Sequence, residues 1–431
     1  MPVYEIIKST ISKNKVLFKN FSSLSILQIA NYIFPLITFP YLVRVLGPDG
    51  FGLVAFATAF VNYFNVITDY GFNLSATREI SISRNDKEEI NRIYNSVLTV
   101  KLILFLFSTI VFLLIVFAFP KFNQDYEIYL ASFISVFGMT LFPTWFFQGI
   151  ERMGFITGIN VAIKAIWVVS IFLLVHNPSD ILLLVILNSI SAILIGIIGT
   201  ISVPVFFKLK FSFANIGEII DQIKKGWLFF ISNISISLYT ISATFILGLF
   251  SNNTVVGYFS AADKIRLAVQ NLTAIAGRTV FPHLSKEFKR SKKAAFKFLK
   301  KYTLVTGIIT FSICTVLFLS AEQVVLIILG KNYYQSILIL KIISFLPFII
   351  LLSNIGGIQI MINLNYEYEF FVIFLVVSIF SLILSFILVP IYFEMGTALS
   401  VLITELVVTF VIIIFLYRKN IFNKNLSTNE I

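Results

Sequence analysis

Ten charged side chains stand inside, or at the edges of, long apolar stretches. Seven are basic, Arg44, Lys101, Lys164, Lys264, Arg266, Arg278 and Lys341; three are acidic, Asp69, Asp263 and Glu405. A charge at mid-bilayer costs at least a few kcal/mol, so each should face a partner or a water-filled cavity. A helical rise of about 1.5 Å per residue puts Lys164, Lys264 and Glu405 near mid-depth, each about nine residues into its span. Lys264, Asn271 and Arg278 recur every seven positions and make one polar stripe on a helix. Asp263 and Arg266, three apart, are placed to pair. Plainer readings stand beside these. Arg44 and Lys341 snorkel at an outer interface, Asp69 and Arg278 serve topology near the inner one, and Asp263 and Arg266 merely neutralise one another. Lys164 and Lys264 lie too deep to snorkel easily. The balance is positive by four charges, which suits an anionic cargo such as a phosphate or pyrophosphate headgroup. The acids Asp69, Asp263 and Glu405 are then candidate sites for a coupling proton or sodium ion.

The elements that must position these groups are membrane helices. Of 431 residues, 58% are hydrophobic and 13% charged, where a soluble domain carries about 25% charged. Apolar runs fall at 21–43, 51–70, 94–119, 128–148, 155–175 and 180–207, then at 227–250, 255–282, 302–320, 336–361, 370–391 and 396–417. Each is long enough to cross a bilayer as a helix. An outer-membrane barrel would alternate apolar and polar residues instead. The expected fold is an all-α polytopic membrane protein with about 12 transmembrane helices.

The connector 208–226 divides the spans six and six. The expected organisation is a cytoplasmic N-terminal segment (1–20), an N-terminal lobe (21–207), the cytoplasmic connector, a C-terminal lobe (227–417) and a cytoplasmic tail (418–431). A shift of 205 positions lays Phe51-Gly52-Leu53-Val54 over Val256-Gly257-Tyr258-Phe259 and Gln28 over Asn233, as in transporters built from internal repeats. With both termini in the cytoplasm, 24 of the 33 lysines and arginines fall on inside segments, and outside loops hold only Lys121 and Lys331. Both termini are therefore expected in the cytoplasm. The net charge of +12 follows from that asymmetry, so no nucleic-acid partner is expected. Residues 1–20 show no removable signal peptide.

Enzyme signatures are poor. His176 and His283 sit at span edges with no metal-ligand partner at motif spacing, so no metal and no cofactor are expected beyond a coupling H+ or Na+. There is no Walker A string and no Gly-x-Ser-x-Gly elbow. The lone Cys314 cannot form an internal disulfide.

Four strings carry a resemblance. FPLITFPYLVRVLGPDGFG at 34–52, DYGFNLSATREIS at 69–81, FPTWFFQGIERM at 142–153 and FPHLSKEF at 281–288 resemble the bacterial polysaccharide biosynthesis transporters. These are the O-antigen, or repeat-unit, flippases of the multidrug/oligosaccharidyl-lipid/polysaccharide (MOP) exporter superfamily. The resemblance covers essentially the whole chain. It implies two pseudo-symmetric six-helix lobes around a central cavity that opens alternately to either side. The implied cargo is an undecaprenyl-pyrophosphate-linked oligosaccharide, turned from the inner to the outer leaflet of the cytoplasmic membrane. Membrane lipids and other polysaccharide assembly proteins are the remaining partners it suggests.

By this resemblance Arg44 is a candidate pyrophosphate contact, joined on depth and helical face by Lys164, Lys264, Arg266 and Arg278. Arg78 and Glu79 in TREIS, with Glu151 and Arg152 in FQGIER, either pair as a cytoplasmic gate or anchor their loops. Two alternatives keep the same apolar pattern. A cation-coupled multidrug exporter of the same superfamily would be expected to show the opposite charge balance within its spans. A membrane polysaccharide polymerase or acyltransferase would be expected to carry a long outer loop or an intramembrane histidine.

Overall fold

The computed structural model describes residues 15–421, apart from the side chains of 15–25, 236, 239, 240 and 278. Among these residues the chain is helix and turn, with no strand. Along the first half run α1 (Lys15–Asp69), α2 (Phe72–Ile82), α3 (Lys87–Ala118), α4 (Pro120–Asn123), α5 (Tyr126–Leu141), α6 (Thr144–Gly149), α7 (Met153–Leu174) and α8 (Ile181–Phe207). The second half holds α9 (Ile216–Thr240), α10 (Ser242–Phe250), α11 (Asn253–Arg290), α12 (Lys292–Leu319), α13 (Ala321–Ile328), α14 (Ser336–Ile343), α15 (Leu346–Asn354) and α16 (Glu367–Arg418).

Eight helical stretches are long and apolar enough to cross a membrane. Two of them are pairs of helices joined at a break: α1 at Gly47 (φ 66°, ψ 178°) and α16 at Phe393 (φ 45°, ψ −121°). Gly47 adopts a backbone region that essentially only glycine tolerates, and Pro48 after it disfavours continuing the helix through that point. Phe393 follows Pro390, which removes a helical hydrogen bond. The α9–α10 pair and α11 occupy the 227–250 and 255–282 runs. The chain is thus a multi-pass helical membrane protein of roughly twelve spans.

Helix ends follow local chemistry. Asp86 caps α3 by accepting from the amides of Glu88 and Glu89 at 3.1 and 3.0 Å. Phe119 is extended ahead of Pro120 and ends the same helix. Beyond the cap, α3 leaves Ile103, Leu106, Phe107, Ile110 and Leu114 exposed on one face. Such a stripe is untenable in water and fits lipid.

Two compact units result. One comprises the residues up to Leu46 and Ala57–Ile234; the other comprises Gly47–Phe56 and the residues from Ser235 onward. The boundary lies inside the 227–250 run rather than in the connector. The first unit packs Tyr70, Phe72, Ile80, Ile93, Tyr94 and Trp145 into one core. The second packs Leu284, Leu299, Leu351, Met361, Val408 and Ile412 into another.

Within the second unit, 47–56 lies across the start of α11. Thr254 Oγ1 donates to Asp49 Oδ1 at 3.1 Å across a separation of 205 residues, the offset that aligns the two halves. A Cβ at Gly52 would overlap the Asn253 backbone, and one at Gly257 would overlap that of Pro48. Asn253 is Pro48 shifted by 205, so the contact is reciprocal. Only residues without side chains let the helices approach this closely.

Candidate functional site: a charged cavity in the second unit

Helix α11 presents Asp263, Arg266 and Gln270 along one face, at spacings of three and four. Arg266 Nε donates to Asp263 Oδ1 at 2.6 Å, and Arg266 Nη1 donates to Gln270 Oε1. These three line a cavity of about 250 Å³. Facing them, the second limb of α16 supplies Thr404 and Glu405, and its first limb supplies Phe370, Phe374 and Ser381. Helix α15 and the π turn Ile355–Met361 add Ser353, Asn354 and Ile358, and α10 adds Thr244. π turns interrupt the regular helical ladder and recur at functional sites.

Arg266 and Glu405 are each 7% exposed. Two carboxylates and one guanidinium line the cavity. In a low-dielectric interior a carboxylate attracts a cation or a proton. Hydroxyl and amide oxygens from Thr244, Ser353, Asn354 and Thr404 surround the space. The wall could therefore solvate a small cation or relay a proton.

The other basic candidates lie elsewhere. Lys264, on the same helix, is exposed and is not part of this wall. The side chain of Arg278 lies outside the described residues. In the first unit Arg44 is exposed, and Lys164 Nζ donates to Asn31 Oδ1 at 2.6 Å. Asp69 accepts from Asn73 Nδ2 at 2.6 Å and lies near enough to Lys101 for their charges to interact. Lys101 is 3% exposed, and its Nζ reaches the Met139 carbonyl at 3.4 Å.

Three of the four gate candidates, Glu79, Glu151 and Arg152, meet partners that sequence reasoning did not assign. Glu79 pairs with Lys225 at 3.2 Å and accepts from Gln222 Nε2 at 3.1 Å. Glu151 pairs with Arg84 at 2.7 Å, whose Nε also donates to the Gly149 carbonyl at 2.8 Å. Arg152 lies over the Phe207 ring at 5.4 Å, and Arg78 is exposed. These contacts tie α2 to α9 and the 149–152 turn to its neighbours within the first unit. Burial works against the Lys225 ammonium, but hydrogen bonds to Asp221 and Glu79 prevail and hold its pKa above the usual lysine value. Of the residues missed, Gln270 was legible as the (i, i+4) neighbour of Arg266. Lys225 and Arg84 carry no sequence signal beyond basic flanking charge.

The fold is shared with solved membrane proteins. It matches an inward-facing MATE family multidrug transporter of the MOP superfamily, with TM-score 0.68 and 14% identity over 95% of this chain and 100% of that one. It also matches the lipid II flippase MurJ in an inward closed conformation, with TM-score 0.67 and 14% identity over 91% of this chain and 87% of that one. Sequence places the chain more narrowly. A protein of Escherichia coli K12 named "Putative O-antigen transporter" is 33% identical over 400 residues, 92% of this chain and 96% of its own length. The capsular polysaccharide biosynthesis protein CapF of Staphylococcus aureus is 26% identical over 411 residues, 90% of this chain and 96% of its own. Residues 17–288 match the family described as "Polysaccharide biosynthesis protein". The chain belongs to that family, and its fold is the one those solved membrane proteins share.

Proposed function

We propose that the protein turns a polysaccharide precursor, an undecaprenyl-pyrophosphate-linked oligosaccharide, from the inner to the outer leaflet of the cytoplasmic membrane by alternating access. Both termini then lie in the cytoplasm, in line with the basic residues of the inside segments. The observation that carries the reading is the end-to-end likeness to a protein named as an O-antigen transporter. The excess of bases over acids within the spans supports it, because a pyrophosphate needs cationic partners once it leaves water. Arg44, Lys164, Lys264 and Arg278 are the proposed headgroup contacts. Arg266 is engaged with Asp263 and Gln270, so its proposed part is to balance charge in the cavity.

The driving force is proposed to be an ion gradient, with H+ or Na+ taken up at Asp263 and Glu405. Asp69 is the corresponding acid of the first unit. The test is mass spectrometry of membrane lipids from the source cell with and without the gene. Complete lipid-linked repeat units should accumulate in the deletion strain, and surface glycan should return with the gene. Unchanged lipids and glycan, with no second flippase present, would overturn the cargo. Accumulation of incomplete units would point to an enzymatic step instead.

A further inference from the structure

Between α8 and α9 the chain is neither helix nor strand over 208–215. Its backbone is fastened to α3 by a ladder of side chains one helical turn apart. Asn91 Oδ1 accepts from the Lys210 amide at 2.9 Å. Asn95 donates to the Lys210 carbonyl at 2.8 Å and accepts from the Ser212 amide at 3.2 Å. Thr99 Oγ1 accepts from the Ala214 amide at 3.4 Å. The apolar run of α3 begins near residue 94, so Thr99 stands about 7.5 Å along the helix into it. Non-helical backbone at that depth needs hydrogen-bond partners, since hydrocarbon offers none. The Asn-Asn-Thr ladder supplies them, which is reason enough for three polar residues on that turn of the helix.

Leu209 is buried in the core of the first unit, while the large apolar side chains that follow it are exposed. Phe213 is 77% exposed, Ile216 76% and Phe211 58%, and the two Phe rings meet edge to face at 5.3 Å. They continue the exposed apolar end of α8, Val205 and Phe206. Lys208 and Lys210 are exposed beside them, and no carboxylate stands within ion-pair distance of either among the described residues. The nearby acids are engaged elsewhere, Glu218 with the Asn215 amide and Asp221 and Glu79 with Lys225. Aromatic rings, an aliphatic side chain and unopposed lysines at this depth are the composition of an interfacial membrane contact.

We propose that residues 208–216 form an interfacial strap that seats Phe211, Phe213 and Ile216 at the boundary of acyl chains and headgroups. Lys208 and Lys210 bind anionic phospholipid headgroups. The contact does not depend on the cargo. It makes the connector a sensor of membrane charge, since a lysine near an anionic surface contributes a factor of about 5 to membrane partition, and two contribute about 30-fold.

The test uses the full chain in vesicles of phosphatidylcholine, with and without phosphatidylglycerol. Nitroxide labels are placed at Phe211→Cys and Phe213→Cys, with Lys293→Cys as an exposed control. Cys314 is buried and stays in place, the labelled wild type serving as the blank. Collision with oxygen should dominate at 211 and 213, and collision with a water-soluble nickel chelate at 293. Phosphatidylglycerol should raise the bilayer-bound fraction at 213 several-fold, and the Lys208→Gln/Lys210→Gln double variant should lose that response. Nickel-dominated collision at 211 and 213 in both vesicles would overturn the strap. Exclusion of both reagents would overturn it too, by showing a protein surface, such as a second copy of this chain, over the rings. An unchanged lipid response in the double variant would overturn the anionic partner.

Discussion

The two units handle their charges in opposite ways. In the first, the acids are held in pairs at the helix ends, Glu79 with Lys225 and Glu151 with Arg84, while Arg44 and Arg78 are exposed. In the second, the buried base is the one held, Arg266 between Asp263 and Gln270, and the acids line a cavity. The difference teaches that a single count of charges over the spans hides how each charge is held. Under the proposed function both units offer cations to a headgroup, Arg44 and Lys164 from the first and Lys264 from the second, and the second adds the carboxylates of its cavity for a coupling ion.

The largest effect is expected at the second unit's buried carboxylate. Glu405→Gln keeps shape and hydrogen-bonding capacity but removes the charge that a proton or sodium ion would neutralise. Gradient-driven transport in proteoliposomes should fall on the order of 100-fold, toward the upper end of known coupling free energies. Passive exchange without a gradient should persist. If Glu79→Gln in the first unit gives the same loss, the contrast between the units fails.

Asp263→Asn comes next. It removes the negative charge from beside the largely buried Arg266 guanidinium and leaves it the neutral amide oxygens of positions 263 and 270. A sealed pair broken in this way loses about 3–5 kcal/mol. Asp263 keeps 22% of its side chain exposed, so about 2 kcal/mol is expected, read from thermal unfolding in detergent. The Asp263→Leu/Arg266→Met double variant should regain stability and stay inactive. Recovery of transport by that variant would remove the pair from coupling.

Lys101→Met sharpens the comparison from the other side. Lys101 is 3% exposed and reaches one carbonyl at 3.4 Å, a weak return for taking an ammonium out of water. Asp69 keeps Asn73 as its own partner. Replacement of Lys101 alone leaves the Asp69 carboxylate without that counter-charge and should cost stability, whereas the Lys101→Met/Asp69→Asn double variant should be neutral or stabilising by about 1 kcal/mol. Loss of transport at unchanged stability would show that the first unit, too, uses a buried charge.

Much of this was legible in the sequence because hydrocarbon imposes long apolar runs. The breaks in α1 and α16 fall at Gly47-Pro48 and just past Pro390, as backbone chemistry requires. The charged cavity was legible in part. Lys264 and Arg266 are both at mid-span, but two positions on a helix turn the side chain by about 200°, so depth alone joined residues that point apart. Asp263, Arg266 and Gln270 share a face and were separable by that geometry. Glu405 reaches the same cavity from α16, 139 residues along the chain from Arg266, and no spacing rule joins them. The ladder of Asn91, Asn95 and Thr99 was equally silent, because its partners are backbone groups of a segment with no periodicity.

The smallest effect belongs to Lys225 and Glu79. Lys225 is 39% exposed on its side chain, so solvent screens the pair and its removal should cost well under about 1 kcal/mol. The pH dependence has a definite sign. The folded pKa of Lys225 is raised, so its stabilisation is complete below the ordinary lysine value of about 10.4 and is lost as pH rises through the folded one. Unfolding measured between neutral pH and that range should show no pH dependence from this pair, and a small loss only above it. Lys225→Met should flatten the alkaline limb and leave the neutral plateau nearly unchanged. If instead the variant alters transport at neutral pH with stability unchanged, the contact of α9 with α2 is a gate, and the first unit's acids do more than anchor.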